Sequence, residues 1–172
     1  MARHERLKKH LNYLFLNTSP DAAVGSESWS RVGKSTEWTD SMNANTTTYE
    51  YIEDAGPTEV IESYQPSTSM PLTAYEGDPV YEYVFDLYQR QDVGSGAVTR
   101  VMRVFQNKAG TSGGFRAQVS DCTVIIDNFN FADGVITFNI TQSGTPRLGS
   151  ATVAESMDSH ENRVWTPVFT VG

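Results

Sequence analysis

Apolar and polar residues alternate along much of the chain, and this pattern predicts β-strands. The alternation runs through residues 97–105 and 115–119, and it resumes in the opposite phase at Cys122, Val124 and Ile126. Since a strand exposes successive side chains on opposite faces, a slip of one residue near Ser120 and Asp121 predicts a β-bulge there.

Two further alternating runs meet at Asp133-Gly134, a pair that tolerates the positive φ of a tight turn, so a β-hairpin is expected. A last strand is predicted over 165–171, where Pro167 would confine it to a sheet edge. Earlier strand candidates are the segments 11–16, 29–32, 46–52 and 58–64.

One segment, 79–90, has helical spacing instead. Its apolar residues recur at i, i+3, i+4 and i+7 and are Val80, Tyr83, Val84 and Leu87. Asp78 can cap the free amides, Pro79 suits the first helical position, and Gly94 follows the expected end. The sequence thus predicts a mainly β protein with a single α-helix that packs on a sheet.

The polar segment 38–75 contains few aliphatic residues and several aromatic ones. Its aromatic residues include Trp38, Tyr49, Tyr51, Tyr64 and Tyr75. Such a long polar segment with aromatic anchors is typical of a surface that packs against something outside its own domain. The alternative, a flexible hairpin with incidental aromatic residues, stays open.

With 172 residues and a net charge of −8, the chain is expected to form one domain with its own core. The charge is uneven: residues 1–36 carry net +3, residues 37–92 net −11 and residues 93–172 net 0. So acidic a chain disfavours a nucleic-acid reader. The −11 block is either a solvated acidic face or a partner for the basic start of another copy.

The sequence offers little for catalysis or metal binding. Gly33-Lys34-Ser35 lacks the earlier glycine of a phosphate-binding loop, because Ser28 stands at that position. The histidines (His4, His10 and His160) are too scattered for a metal site. The single cysteine, Cys122, lies in an apolar run and reads as a buried small residue rather than a nucleophile. We therefore expect no enzyme, no cofactor and no metal.

No segment is long and apolar enough for a membrane helix, and the charged N-terminus does not read as a signal peptide. Synthesis in a cytoplasm without membrane attachment is the expectation.

Several short motifs, in their order and spacing, resemble one family. They are the stretch 75–84 that leads into the helix, the elements 13–17, 29–33 and 48–52, and a late run 136–139 followed by Gly144-Thr145-Pro146 and Gly149. In these motifs the chain resembles the major tail-tube proteins of long-tailed (siphovirus-type) bacteriophages. The polar stretch 155–163 departs from the pattern.

The resemblance implies a β-sandwich or barrel of the tail-tube type, with one flanking helix over about 79–90 and a long loop between the early strands and that helix. It implies a single tail-tube domain over 1–172, with a basic arm at 1–10 and an extended inter-ring loop at about 38–75. Subunits of this family form hexameric rings that stack into the hollow tail tube of the virion. The candidate contact residues between subunits are Arg3, Arg6, Lys8, Lys9, Trp38, Tyr49, Tyr51, Tyr64 and Tyr75.

The family also implies partners: other copies of the chain, a tape-measure protein in the lumen, and terminator and distal tail proteins at the tube ends. DNA would pass through the lumen without specific binding, and the subunit would be made in the host cytoplasm. Two alternatives stay open. One is the inner tube of a contractile tail or injection system. The other is a virion decoration protein or carbohydrate-binding β-sandwich.

Overall fold

The computed structural model describes residues 8–172, and within them the chain is mainly β with a single α-helix. The helix α1 is Pro79–Arg90, and two short 3₁₀ turns cover Lys9–Leu11 and Gly94–Ala97. The strands are β1 Asn12–Asn17, β2 Trp29–Arg31, β3 Thr39–Ser41, β4 Ala44–Tyr49, β5 Thr58–Tyr64, β6 Ser67–Thr73, β7 Val98–Ala109, β8 Phe115–Asn130, β9 Val135–Met157 and β10 Arg163–Val171.

Eight of these strands form one antiparallel sheet: seven follow the order β2-β1-β7-β8-β9-β6-β3, and the eighth, β10, pairs with β9. The 23-residue strand β9 pairs along its first part with β6 and along its last part with β10, while β8 pairs with it on the other side. Strands β4 and β5 form a separate two-stranded sheet. The predicted edge position of the last strand is confirmed, since β10 pairs with β9 alone among the described strands.

The sheet is strongly curved, as two contacts across it show. In a flat sheet β7 and β3 would stand about 19 Å apart, four strand spacings, yet Arg103 of β7 reaches Asp40 of β3 at 2.9 Å. On the other face the Arg31 guanidinium of β2 lies 4.3 Å from the centre of the Trp165 ring of β10. The sheet therefore folds over both of its faces into an open sandwich.

Each face of the sheet covers a hydrophobic core. In β1, Leu14 and Leu16 point into one cluster, and Phe15 between them points into the other. The first and larger cluster contains the buried face of the helix together with residues of β6 and β9 such as Met70 and Phe138. Strands with both faces buried need apolar residues on both faces. Polar and apolar residues therefore alternate less clearly in this central region than in the outer strands.

The helix has the predicted limits and the predicted buried face. The Asp78 side chain accepts hydrogen bonds from the amides of Val80 (2.9 Å) and Tyr81 (3.1 Å), as an N-cap does. The helix ends at Arg90, and the cap residue Gln91 takes a left-handed conformation with φ 55°, three residues before Gly94. A side chain other than glycine is tolerated there because the strained residue still donates its amide to the carbonyl of Leu87.

The long strands bend where the sequence predicted irregularity. The register of β8 against β9 shifts between Val119 and Asp121, which confirms the predicted bulge. Opposite this point the stretch 144–146 loops out of β9, so it is a bulge within one strand rather than a turn between two. The predicted hairpin at Asp133-Gly134 is also confirmed, with Gly134 at φ 62°.

The polar stretch 155–163 contains the end of β9, the connection 158–162 and the first residue of β10. Asp158 holds this connection, since its carboxylate accepts hydrogen bonds from the amides of His160 and Asn162, both at 2.8 Å. These bonds, the one from Asn162 first, lower the pKa of Asp158. The stretch that departs from the family pattern is therefore a hairpin connection.

Candidate assembly surface

The most exposed part of the described chain is the hairpin formed by β4 and β5, residues 44–64. All seven residues of β5 are exposed, and in β4 only Thr47 is partly covered. Among the described strands these two pair with each other alone, and neither described core cluster contains a residue of the hairpin. The hairpin therefore extends from the body as an arm with both faces exposed.

Apolar side chains are concentrated on this hairpin despite its exposure. At its tip Ile52 is fully exposed, and Tyr51 is 57% exposed. On the strands, Val60, Ile61 and Tyr64 are exposed as well. Burial of such side chains is worth about 1.5–3 kcal/mol each. A cluster of them at the end of an arm is therefore typical of an interaction surface.

The hairpin is also acidic throughout. It carries five carboxylates and no basic residue; these are Glu50, Glu53, Asp54, Glu59 and Glu62. Its two faces differ. On one face Tyr49 stacks on Tyr51, with ring centres 5.9 Å apart, and its hydroxyl donates a hydrogen bond of 3.1 Å to Glu62. A partner surface must therefore satisfy both apolar groups and negative charge.

The structure separates the aromatic residues that the sequence grouped together. Tyr49, Tyr51 and Tyr64 lie on the hairpin. Tyr75 lies in the turn before α1, where it is exposed and stacks under the Lys34 ammonium at 4.8 Å. The loop predicted over 38–75 is thus the hairpin flanked by two strands of the main sheet, β3 and β6.

Trp38 lies at the base of this segment and not on the arm. Its ring packs against the larger core, and its Nε1 donates a hydrogen bond of 3.1 Å to Asp40. It lines a cleft of about 880 Å³ whose walls include Arg31, Phe105 and Lys108. Its position therefore points to support of the hairpin root more than to direct contact with another subunit.

Of the basic residues predicted to form an arm, Arg3 and Arg6 lie outside the described residues. Lys8 is exposed, and Lys9 belongs to the first 3₁₀ turn. Residues 8–11 lead directly into β1, which lies between β2 and β7 in the sheet.

Both strands that flank the hairpin are held by one buried guanidinium. Arg103, only 2% exposed, donates from Nε to Asp40 Oδ2 (3.0 Å) and from Nη2 to Asp40 Oδ1 (2.9 Å). The same Nη2 donates to Thr68 Oγ1 at 2.6 Å, and the Thr68 hydroxyl also bonds to Asp40. Burial alone would raise the pKa of Asp40, but hydrogen bonds and the charge of Arg103 outweigh it and lower that pKa.

A second aromatic patch was missed by the sequence reasoning. Tyr81, Phe85 and Tyr88 of the helix meet Phe129 and Phe131 near the β8–β9 turn, with ring centres 4.2–6.4 Å apart. Phe131 is 69% exposed. The signal was available, because Tyr81, Phe85 and Tyr88 recur at i, i+4 and i+7 and form a second helical stripe beside the buried one.

The described residues provide no evident reaction centre. Burial raises the pKa of the Cys122 thiol to about 12, so this group stays protonated at neutral pH and makes a poor nucleophile. Across residues 8–172, no three His, Cys, Asp or Glu side chains are grouped so as to hold a metal ion. No helix in that part of the chain has the length and apolarity needed to span a bilayer.

No protein-family model matches the chain, and no curated protein matches it. Solved structures do match. A chain from the tail of an empty gene transfer agent particle, refined with C6 symmetry, aligns with a TM-score of 0.57 at 11% identity over 84% of this chain and all of its own length. A chain from the virion of a native gene transfer agent aligns with a TM-score of 0.56 at 9% identity over the same shares.

A third match comes from an extracellular contractile injection system, described as its sheath/tube terminator in the extended state. It aligns with a TM-score of 0.52 at 9% identity over 87% of this chain and all of its own length. None of the three descriptions names a long-tailed phage, so the siphovirus-type resemblance is not confirmed in that detail. At these identities the matches show the fold, and the chain has the mainly β, single-helix fold found in particle tails and in a contractile injection system.

Proposed function

We propose that this protein is a structural subunit of a tail tube that assembles from copies of itself. One observation carries the proposal: the chain shares its fold, over more than four fifths of its length, with chains of tail particles, while its hairpin of exposed apolar residues is left uncovered. A tube subunit needs such an arm, because each copy must bind the next in a head-to-tail series.

The arrangement of the copies and their partners is proposed on the same grounds. Hexameric rings would stack on one another, and the C6 symmetry of one structural neighbour supports a ring of six. The hairpin would tie each ring to the next. A tape-measure protein would occupy the lumen, and terminator and distal tail proteins would close the ends. The net charge of −8 suits a lumen that DNA crosses without binding, because like charges repel. The subunit would be made in the host cytoplasm and reside in the virion tail.

The structural neighbours support the contractile alternative better than a long siphovirus-type tail. One of the structural neighbours belongs to an extracellular contractile injection system, whereas no reported neighbour is described as a siphovirus tail. We therefore place the inner tube of a contractile tail or injection system ahead of the long-tailed phage tube. The two share the ring and differ in the presence of a surrounding sheath.

We propose no catalytic role. The structural neighbours come from a tail, a virion and a contractile injection system, and the chain shares only its fold with them. A virion decoration protein or carbohydrate-binding β-sandwich remains as a second class of function. The hairpin disfavours it, because a sugar-binding module does not need an acidic arm that extends from the body.

The test is negative-stain electron microscopy of the purified protein at high concentration, with analytical ultracentrifugation in parallel. We expect rings of six or hollow tubes with a regular axial repeat. A small fixed oligomer that keeps its size over a hundredfold concentration range, and binds glycans on an array, would instead support the carbohydrate-binding alternative. Co-purification with a sheath protein would decide for a contractile system.

A further inference from the structure

The hairpin leaves the body through two strands, and one side chain contacts both. Strand β3 ends at Ser41, three residues before the hairpin, and β6 begins at Ser67, three residues after it. Asp40 of β3 and Thr68 of β6 both bond to the guanidinium of Arg103, which belongs to β7. The guanidinium thus joins the entry and the exit of the hairpin to a strand that is distant in the sheet.

The other side of the guanidinium is held as well. With the Gln142 amide oriented so that its oxygen faces Arg103, this oxygen accepts from Nη1 at 3.0 Å and from Nη2 at 2.9 Å. The Gln142 nitrogen then donates to Ser120 Oγ at 3.1 Å. Arg103 is therefore fixed between β9 and the hairpin root, and its position is set by the main sheet.

Strand β3 has few other attachments. It is three residues long, all three are exposed, and among the described strands it pairs with β6 alone. A planar guanidinium with two hydrogen bonds to one carboxylate fixes both the distance and the angle between the strands that carry them. A buried ion pair is also weak support for stability, since an apolar pair of similar volume often serves as well.

From these contacts we infer that Arg103 is a positioning residue: it fixes the direction in which the hairpin projects, and it does so in the free subunit before any partner binds. This inference rests on the proposed function in one respect, that the hairpin is the arm used in assembly. Pre-orientation lowers the entropy lost on binding, so a subunit with a fixed arm assembles at lower concentration than one whose arm samples many directions.

The test replaces both charges, Arg103→Met with Asp40→Leu, so that no unpaired charge is left buried. The matched control is Arg100→Met with Glu27→Leu. Arg100 lies on the same strand and pairs with the well-covered Glu27 at 3.0 Å, but it makes no contact with the hairpin root. A third variant, Arg103→Lys, keeps the positive charge but cannot make the bidentate hydrogen bond to Asp40.

Two spin labels, at Ala55→Cys on the tip and at the exposed Asp86→Cys on the helix of the body, report the direction of the arm by pulsed electron paramagnetic resonance. Cys122 is buried and is not expected to be labelled. We expect a narrow distance distribution in the parent and in the Arg100 control. In the Arg103→Met/Asp40→Leu and Arg103→Lys variants it should be at least twice as wide, with a melting temperature within a few degrees of the parent. Tube assembly should then need about tenfold more protein.

Equal widths in the parent and in both Arg103 variants would overturn the inference, and so would a parent whose distribution is already broad. If the double variant fails to fold, the Arg103→Lys distribution decides. The spin-label readout uses the free subunit, so it separates this inference from the proposed function. A wild-type protein that never assembles would refute the tube while leaving the positioning role of Arg103 testable.

Discussion

The side-chain amide of Asn43 donates a hydrogen bond of 3.0 Å to the carbonyl oxygen of Gln65 and so closes the base of the hairpin. The Gln65 amide returns a bond of 3.3 Å to the carbonyl of Asn43. Asn43 takes a positive φ of 45°, which asparagine tolerates better than most residues. The ends of the hairpin are thus already joined, and the segment between them is separable from the body.

Removal of residues 44–64, with a two-glycine link between Asn43 and Gln65, is expected to leave a folded subunit that does not assemble. No core residue is lost, because neither core cluster of the described residues contains a residue of the hairpin. Circular dichroism and thermal melting would check the fold, and sedimentation would check assembly. A wider deletion that included β6 would remove Met70 and Leu72 from the core and is expected to unfold the protein. Tubes formed by the 44–64 deletion would refute the role of the hairpin.

Substitution of Ile52 by serine is expected to impair assembly without a change in stability. Ile52 is fully exposed, so the free energy of unfolding should change by less than about 0.5 kcal/mol. The concentration needed for tubes should rise about tenfold, equivalent to about 1.4 kcal/mol at the interface. Val24→Ser is the matched control, since Val24 is 67% exposed and lies between β1 and β2. Equal effects of the two substitutions would argue against the tip as a contact.

The Asp40–Arg103 pair predicts a defined dependence of stability on pH. The folded pKa of Asp40 is lowered, so the charged carboxylate stabilises the fold fully above the unfolded pKa of about 3.9. This contribution is lost as pH falls through the lower, folded pKa. Asp40→Asn should cost about 1–3 kcal/mol at pH 7, less than a fully buried pair because a third of the Asp40 side chain is exposed.

Urea titrations of the parent and of Asp40→Asn at several pH values would measure this difference. It should be constant between pH 5 and 8 and should shrink below about pH 4. A difference that already declines between pH 7 and pH 5 would show that Asp40 is not held charged by Arg103.

The basic residues at the start of the chain are predicted to contact the acidic block 37–92, which contains the hairpin, on another copy. If so, assembly should weaken as salt rises, because the screening length falls from about 10 Å at 0.1 M to about 3 Å at 1 M. Light scattering at several salt concentrations would measure the effect. Replacement of Arg3, Arg6, Lys8 and Lys9 by glutamine should remove most of the salt dependence. Assembly that is indifferent to salt in the parent would contradict the ionic contact.

Local patterns determined most of the elements of this protein. The helix limits at Pro79 and Arg90, the bulge after Val119 and the turn at Gly134 were predictable because each depends on a few adjacent residues: a cap, a phase shift, or a positive φ. The strands of the hairpin were also predictable, because they are rich in β-branched and aromatic residues; β5 matches the predicted 58–64, whereas β4 ends at Tyr49 and not at residue 52. The sequence left open whether this segment is a contact surface or a flexible hairpin with incidental aromatic residues.

Tertiary structure alone decided which residues meet. Arg103 reads in the sequence as one more polar position of an alternating strand, and nothing local indicates that it is buried or that Asp40, 63 residues away, pairs with it. Trp38 and Tyr51 look alike as aromatic residues of a polar segment, yet one packs on the core and the other lies at the tip of the arm. Both outcomes follow from the curvature of the sheet, which is set by twist and register summed over eight strands and is not encoded in any one of them.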